Sequence, residues 1–214
     1  MADILCRYKI NQWQLYIEHT YLFRDLSEAW REDTPLTAQE IMDTLKEKLG
    51  DSFECDTAES EDRMSGYWGF DMDKVEDWAA MGNSNSAINP SAAVILKVKD
   101  GYAQDAAALL QTGYEQILSY SRMYNMDLQK ALQARLFVNG NYVALLILSA
   151  QGDWEASDEV QAKFAAEEAA KVDEVWRGIF GSADNGITIP EDDGSSNNGG
   201  SFDMTCLLYT SDAA

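Results

Sequence analysis

The chain has 214 residues, of which 46% are hydrophobic and six are tryptophans, a composition that predicts a folded domain with its own core. Its 16 lysines and arginines stand against 37 aspartates and glutamates, giving a formal net charge of −21. A polyanion of this size is repelled by phosphate backbones and anionic membranes, so we predict no nucleic-acid partner, whereas cations and basic peptides remain compatible.

The side chains that build many catalytic and metal sites are scarce. Cys6, Cys55 and Cys206 are far apart and form no C-x-x-C pair, so we predict no disulfide framework, no zinc site and no cofactor. His19 is the single histidine, which leaves histidine-based triads without their central residue. No apolar run reaches the roughly 18 residues of a membrane span. No signal peptide is visible, and Cys6 lacks the small residue expected before a lipid-modified cysteine.

Residues 1–33 are predicted to be a leader, with two interpretations left open. One is an amphipathic helix, because Tyr16, Phe23 and Trp30 recur at seven-residue intervals. The other is a segment that is not the native start of the protein.

An α+β domain is predicted over residues 34–181, and its first helix is well marked. Thr37-Ala-Gln-Glu40 is a capping box, in which the Thr37 hydroxyl and the Glu40 carboxylate each satisfy a backbone N–H at the start of the helix. Gly50 is placed to end this helix. A second capping box, formed by Asp73 and Glu76, predicts a short helix that continues through Trp78.

The centre of the domain reads as strand, long helix and hairpin. The strand at 93–98 has one apolar face, and its other face becomes polar at Lys97, as in a sheet covered on one side. A helical pattern follows over 102–124. Two β-prone runs, 134–138 and 142–148, are joined by Asn139-Gly140, which predicts a type I′ hairpin turn.

A last long helix is predicted from Ser157 to Gly181, followed by a disordered, acidic, Gly/Ser-rich tail over 182–205. Residues 206–214 look like a translated sequencing adapter and are set aside from fold reasoning. These elements predict a small antiparallel sheet of three to four strands, with long helices packed on one face, in a partly ferredoxin-like arrangement.

Four short motifs carry a family resemblance that covers most of the chain: LTAQEI at 36–41, YWGFD at 67–71, KVKDGY at 97–102 and NGNYV at 139–143. With the closing acidic helix, they resemble domain of unknown function 4358, an uncharacterised bacterial family. The resemblance implies an extracytoplasmic α+β domain on a membrane-anchored lipoprotein of Gram-positive bacteria. This chain departs from that pattern, because neither a signal peptide nor a lipid-anchor motif is present in it.

The candidate binding residues are the aromatic side chains Tyr67, Trp68, Phe70 and Trp78. Exposed aromatics among glycines could bind a protein, a peptide or a glycan, and the alternative is that they cover the edge of the core. Asp71 and Asp73 offer oxygen ligands for a cation, but Asp73 also fits as a helix cap and the spacing matches no EF-hand. We therefore predict no metal site.

Three functions remain open at this point. The first is a non-enzymatic extracytoplasmic domain that binds a partner or supports an envelope assembly, and no catalytic residues are assigned. The second is a carboxylate-dependent hydrolase of unfamiliar type, which requires a pocket with converging acids of perturbed pKa. The third is an acidic cation-binding module.

Overall fold

A computed structural model describes residues 36–124 and 127–191, and the compact unit that contains the sheet begins at Thr37. The predicted leader over 1–33 and the adapter-like residues 206–214 lie outside the described residues. Within those ranges the elements are α1 (Ala38–Leu49), β1 (Thr57–Ala58), α2 (Glu61–Gly66), β2 (Val75–Gly82), β3 (Ala92–Val98), α3 (Ala103–Tyr124), α4 (Leu128–Leu132), β4 (Arg135–Asn139), β5 (Tyr142–Ile147) and α5 (Asp158–Phe180).

The strands form one sheet in the order β1-β2-β3-β5-β4, with every neighbouring pair antiparallel. Strands β3 and β4 therefore run parallel to each other with β5 between them, and α3 and α4 connect them. This is a split β-α-β unit, the part of a ferredoxin-type arrangement that the chain contains. The predicted α+β class and antiparallel sheet are confirmed, and the sheet has five strands where three to four were expected.

Helices cover both faces of the sheet, which corrects the prediction of helices on one face only. Helices α2, α3 and α4 pack on the face that carries Val94, Leu96 and Val98. Helices α1 and α5 pack on the opposite face, against Ala93 and Ile95. The prediction was wrong because it rested on the single polar residue near the end of β3. One lysine there does not mean that the whole face of the sheet is exposed.

Lys97 is that polar residue, and it is paired across the strands. Its ammonium nitrogen lies 3.3 Å from a carboxylate oxygen of Glu76 on β2. Every other residue of β3 is buried, as expected for a central strand between two layers of helices.

The predicted helix ends are confirmed. The Thr37 hydroxyl accepts the Glu40 N–H at 3.1 Å, and the Glu40 carboxylate accepts the Thr37 N–H at 2.8 Å. The hydrogen bonds that the Glu40 carboxylate accepts from the Thr37 N–H and the Thr37 hydroxyl lower the pKa of Glu40 below its ordinary value. Gly50 caps the end of α1, and Gly181 caps the end of α5 with a φ of +80°.

The helix predicted from Asp73 through Trp78 is wrong, because residues 75–82 form strand β2. Asp71 is the capping residue here, and its carboxylate accepts the Asp73 N–H at 3.3 Å in a three-residue 3-10 turn. Pairing of β2 with β3 along its length outweighs the local helix signal.

The β4–β5 hairpin is present, but its turn differs from the predicted one. Asn139 pairs with Tyr142, so the two central residues are Gly140 and Asn141. Gly140 has a φ of +60°, and Asn141 is not among the described residues with positive φ. A glycine with positive φ at the first central position, followed by a residue with negative φ, is the pattern of a type II′ turn.

The chain beyond α5 continues along the outer edge of β4. Asn185 accepts the Leu136 N–H at 2.9 Å, and the Gly186 N–H donates to the Leu136 carbonyl at 2.8 Å. Further on, Thr188 and Pro190 are hydrogen-bonded to side chains of α3. The expected disorder therefore does not hold for residues 182–190, which protect an edge strand that would otherwise expose its backbone groups.

One close approach fixes the position of α3 against the loop after α2. A Cβ atom at Gly113 would lie 2.3 Å from Cζ3 of the Trp68 ring, so the indole occupies the space above the glycine. Only glycine allows the helix and the ring to be this close.

Replacing Gly113 with alanine is expected to lower the free energy of unfolding by about 1–3 kcal/mol, because the core must move to admit the methyl group. The matched control is Gly178→Ala on α5, where a Cβ meets no atom within 4 Å. That change should stabilise the chain by about 0.5–1 kcal/mol, since alanine favours a helix over glycine. Urea denaturation of both variants measures the difference, and shifts of the same sign would contradict this packing.

Candidate functional site

The predicted aromatic surface is not formed, because its members belong to the core. Trp68 is 5% exposed and Phe70 is 3% exposed, with their rings stacked at a centroid distance of 6.4 Å. Trp78 is half-buried against the same cluster, and only Tyr67 is exposed, to 36%. The alternative interpretation, in which these rings cover the core, describes Trp68, Phe70 and Trp78.

The two candidate cation ligands have local structural contacts. An Asp71 carboxylate oxygen lies 3.2 Å from the ammonium of Lys74, and the other oxygen caps the 3-10 turn. The backbone carbonyl of Asp73 accepts a hydrogen bond from the Lys99 ammonium at 2.6 Å. Over residues 36–124 and 127–191, the structure contains no group of three or more His, Cys, Asp or Glu side chains that could hold a metal ion.

A cavity of about 150 Å³ lies at the end of the sheet where β3 begins. Ala92, the first residue of β3, pairs with Gly82 at the end of β2 and with Ile147 at the end of β5. The β2–β3 and β5–α5 loops therefore leave the sheet at the same end. We call this cavity the Trp154 cleft, and its lining residues are Glu54, Asn83, Asn85, Ile88, Asn89, Asp127, Gln151 and Trp154.

A buried lysine neutralises part of the cleft. Lys130 is 2% exposed, and its ammonium lies 2.5 Å from Glu54 Oε2 and 3.2 Å from Asp127 Oδ2. Asn89 donates to the same Glu54 oxygen at 2.8 Å and accepts from Lys130 at 3.4 Å. The buried charge is thus paired and hydrogen-bonded, as a buried charge must be. Two carboxylates share one ammonium, which leaves one negative charge.

The rim of the cleft is exposed and has hydrogen-bonding groups to spare. Trp154 is 54% exposed and Ile88 is 53% exposed. Asn85 and Gln151 are also exposed, and no hydrogen bond of their side-chain amides is found among the described residues. An exposed indole next to free amides is a surface on which another molecule can bind.

The loop that carries Trp154 is anchored at its start by a buried carboxylate on α5. Glu168 is 3% exposed and accepts hydrogen bonds from the Ser52 hydroxyl at 2.5 Å and the Ala150 N–H at 3.1 Å. Burial raises the pKa of Glu168, but the hydrogen bonds from Lys171, Ser52 and Ala150 outweigh it and the net shift is downward. The group therefore stays ionised and holds the loop.

Two other described carboxyl groups have a pKa that departs from its ordinary value, and both pKa values are lowered. Hydrogen bonds from the Ser84 hydroxyl and backbone lower the pKa of Asp56, as those from Thr37 lower that of Glu40. A general acid at neutral pH needs the opposite shift. These groups therefore lack the property that a general acid would use at neutral pH.

Cys55 follows Glu54 in sequence and is buried as a free thiol. Burial raises its pKa from 9.0 to about 12, so almost none of it is the reactive thiolate at neutral pH.

We expect iodoacetamide at pH 8 to leave Cys55 unmodified in the folded chain and to alkylate it after denaturation, as read by peptide mass spectrometry. Because folding raises this pKa, the stability due to the neutral thiol is complete below about pH 9 and is lost as the pH rises toward 12. Alkylation of the folded chain at the rate of an exposed thiol would contradict the burial of Cys55.

Sequence reasoning missed the Trp154 cleft, since its residues come from loops that are far apart in the chain. The available signal was Trp154 itself, a lone tryptophan in a polar loop between a buried strand and a long helix. Among the helices described, none is long and apolar enough to cross a membrane. Comparison of the chain with protein-family models, with curated proteins and with solved structures gave no match.

Proposed function

We propose that this chain is a non-enzymatic binding domain that acts outside the cytoplasm, attached to the cell envelope, and contacts its partner through the Trp154 cleft. The extracytoplasmic placement follows from the resemblance to domain of unknown function 4358. The binding role is supported by one observation above the others. Trp154 is 54% exposed and stands on the rim of a cavity that it lines together with Asn85 and Gln151, whose side-chain amides have no hydrogen bond among the described residues.

The contrast with the two tryptophans of the core strengthens this proposal. Trp68 and Trp176 are almost completely buried, at 5% and 0% exposure, whereas Trp154 is 54% exposed. Tryptophan is enriched at sites where a few residues carry most of the binding energy. The hydrolase alternative is less well supported, because the displaced pKa values among the described carboxyl groups are all lowered.

The proposal is tested by probing peptide and glycan arrays with the purified chain and with Trp154→Ala. We expect at least one ligand class to bind the unmodified chain and to be lost in the variant. Tyr67→Ala is the matched control, because Tyr67 is an exposed aromatic outside the cleft, and it should bind as the unmodified chain does. Loss of binding in Tyr67→Ala alone would place the contact surface elsewhere, and turnover of an ester or glycoside probe would favour the hydrolase.

The location is tested separately in a host that carries the native gene. A membrane-impermeant amine label added to intact cells should modify the protein. Labelling only after lysis would contradict the extracytoplasmic placement while leaving the binding role open.

A further inference from the structure

We infer that the group bound in the Trp154 cleft is a positively charged side chain, a lysine or an arginine, on a basic segment of a partner protein. This inference rests on the proposed binding role and names the chemistry of the partner. Charge, unused hydrogen-bond acceptors, cavity size and the exposed indole all lead to it.

The cleft is negatively charged even after its internal pairing is counted. Among the described residues, the lining contains Glu54 and Asp127 but no lysine or arginine, and Lys130 neutralises one of the two carboxylates. A neighbouring hollow, which shares Asp127 and Trp154 with the cleft, adds Asp153. Three carboxylates and one buried ammonium leave two negative charges. The formal charge of −21 on the whole chain would draw a cationic partner to this surface.

Both cleft carboxylates keep an oxygen for a second cation. Lys130 contacts Oε2 of Glu54 and Oδ2 of Asp127. The other oxygen of each carboxylate accepts no hydrogen bond from the described residues. Carboxylates act only as acceptors, so these oxygens need N–H or O–H donors, and ammonium and guanidinium groups supply several.

The size of the cavity suits one side chain. Its volume of about 150 Å³ is below the roughly 300–1,000 Å³ of pockets that enclose whole small molecules. The Trp154 ring can cover a cation, an interaction strongest for tryptophan. The carbonyl groups of Asn85 and Gln151 can accept the remaining N–H donors. A neutral sugar could use the ring and the amides, but it would leave the excess negative charge uncompensated.

A charge-swap pair provides the experiment. Gln151 is exposed and its amide has no hydrogen bond among the described residues, so Gln151→Lys and Gln151→Glu change the charge of the cleft while preserving the fold. The probe is an acetylated, amidated decapeptide of alternating glycine and lysine, measured by calorimetric titration. A glycine–glutamate decapeptide and a neutral hexasaccharide serve as comparison ligands.

We expect the lysine peptide to bind, Gln151→Lys to weaken it about fivefold and Gln151→Glu to strengthen it by a similar factor. Trp154→Ala should weaken it about tenfold or more. The controls are Gln104→Lys and Gln104→Glu, at an exposed position near the start of α3. Helix α3 ends close to Asp127 of the cleft, and about 30 Å of helix separates Gln104 from that end. They should change the affinity by less than twofold at 150 mM salt.

Three results would overturn the inference. The first is equal affinity of the lysine peptide for Gln151→Lys and Gln151→Glu. The second is a change of affinity in the two Gln104 variants as large as in the two Gln151 variants, which would mean that the peptide is attracted to the acidic chain as a whole. The third is binding of the hexasaccharide with no effect of charge at position 151. That outcome would reject the cationic ligand and keep the proposed binding role, whereas absence of any ligand on the arrays would reject the binding role itself.

Discussion

Replacing Trp176 with alanine is expected to lower the free energy of unfolding by about 3–5 kcal/mol. Trp176 is fully buried at 0% exposure on α5. Its ring stacks on Phe137 of β4 at a centroid distance of 4.9 Å and contacts the tilted ring of Phe180 at 4.5 Å, and its indole N–H donates to Asn139 at 2.7 Å. The variant loses this packing, leaves a cavity and leaves Asn139 with an unpaired acceptor.

Trp154→Ala is the matched control, because it removes the same side chain from a site that is 54% exposed. Its free energy of unfolding should change by less than about 1 kcal/mol. Chemical denaturation followed by circular dichroism measures both variants. Equal losses would mean that α5 does not cover the second face of the sheet, or that Trp154 is part of the core.

Replacing Lys130 with methionine is expected to cost about 3 kcal/mol, near the lower end for breaking a buried ion pair. The change leaves Glu54 and Asp127 beside each other without their shared cation. Both carboxylates are 21% exposed, so water from the cleft reduces the loss below that of a fully buried pair. Thermal and urea unfolding at pH 7 measure it.

A second substitution distinguishes lost charge pairing from lost packing. Adding Glu54→Gln to Lys130→Met removes one unpaired carboxylate and should recover at least about 1 kcal/mol. The exposed control is Lys163→Met, since the Lys163 side chain is 79% exposed and lies 3.9 Å from Glu167. That change should stay within about 0.5 kcal/mol. No recovery in the double variant would show that Lys130 acts mainly by filling space.

The helix ends and strand cores could be predicted from sequence because their signals are local. Thr37 and Glu40 lie three residues apart, and Gly50 and Gly181 end helices by a property of glycine alone. The same locality explains the error at Asp73, where the capping pattern was present but strand pairing with β3 decided the outcome. Local signals predicted the fold class and could not assign the helices to faces.

The candidate site could not be predicted because its residues meet only in three dimensions. Glu54 follows α1, Asn85 lies between β2 and β3, and Asp127 lies between α3 and α4. The aromatic residues that are close in sequence, Trp68 and Phe70, belong to the core instead. Sequence spacing measures separation along the chain, whereas a cleft depends on which loops leave the same end of a sheet.

The most direct test of the binding role uses the tryptophan indole N–H signals in a ¹H–¹⁵N NMR spectrum, recorded while the lysine peptide is added. Trp154 lines the cleft, whereas Trp68 and Trp176 lie in the cores on opposite faces of the sheet. We expect the Trp154 indole signal to move in proportion to the bound fraction while the Trp68 and Trp176 signals stay in place. A shift of the Trp68 signal with the Trp154 signal unchanged would contradict binding at this cleft.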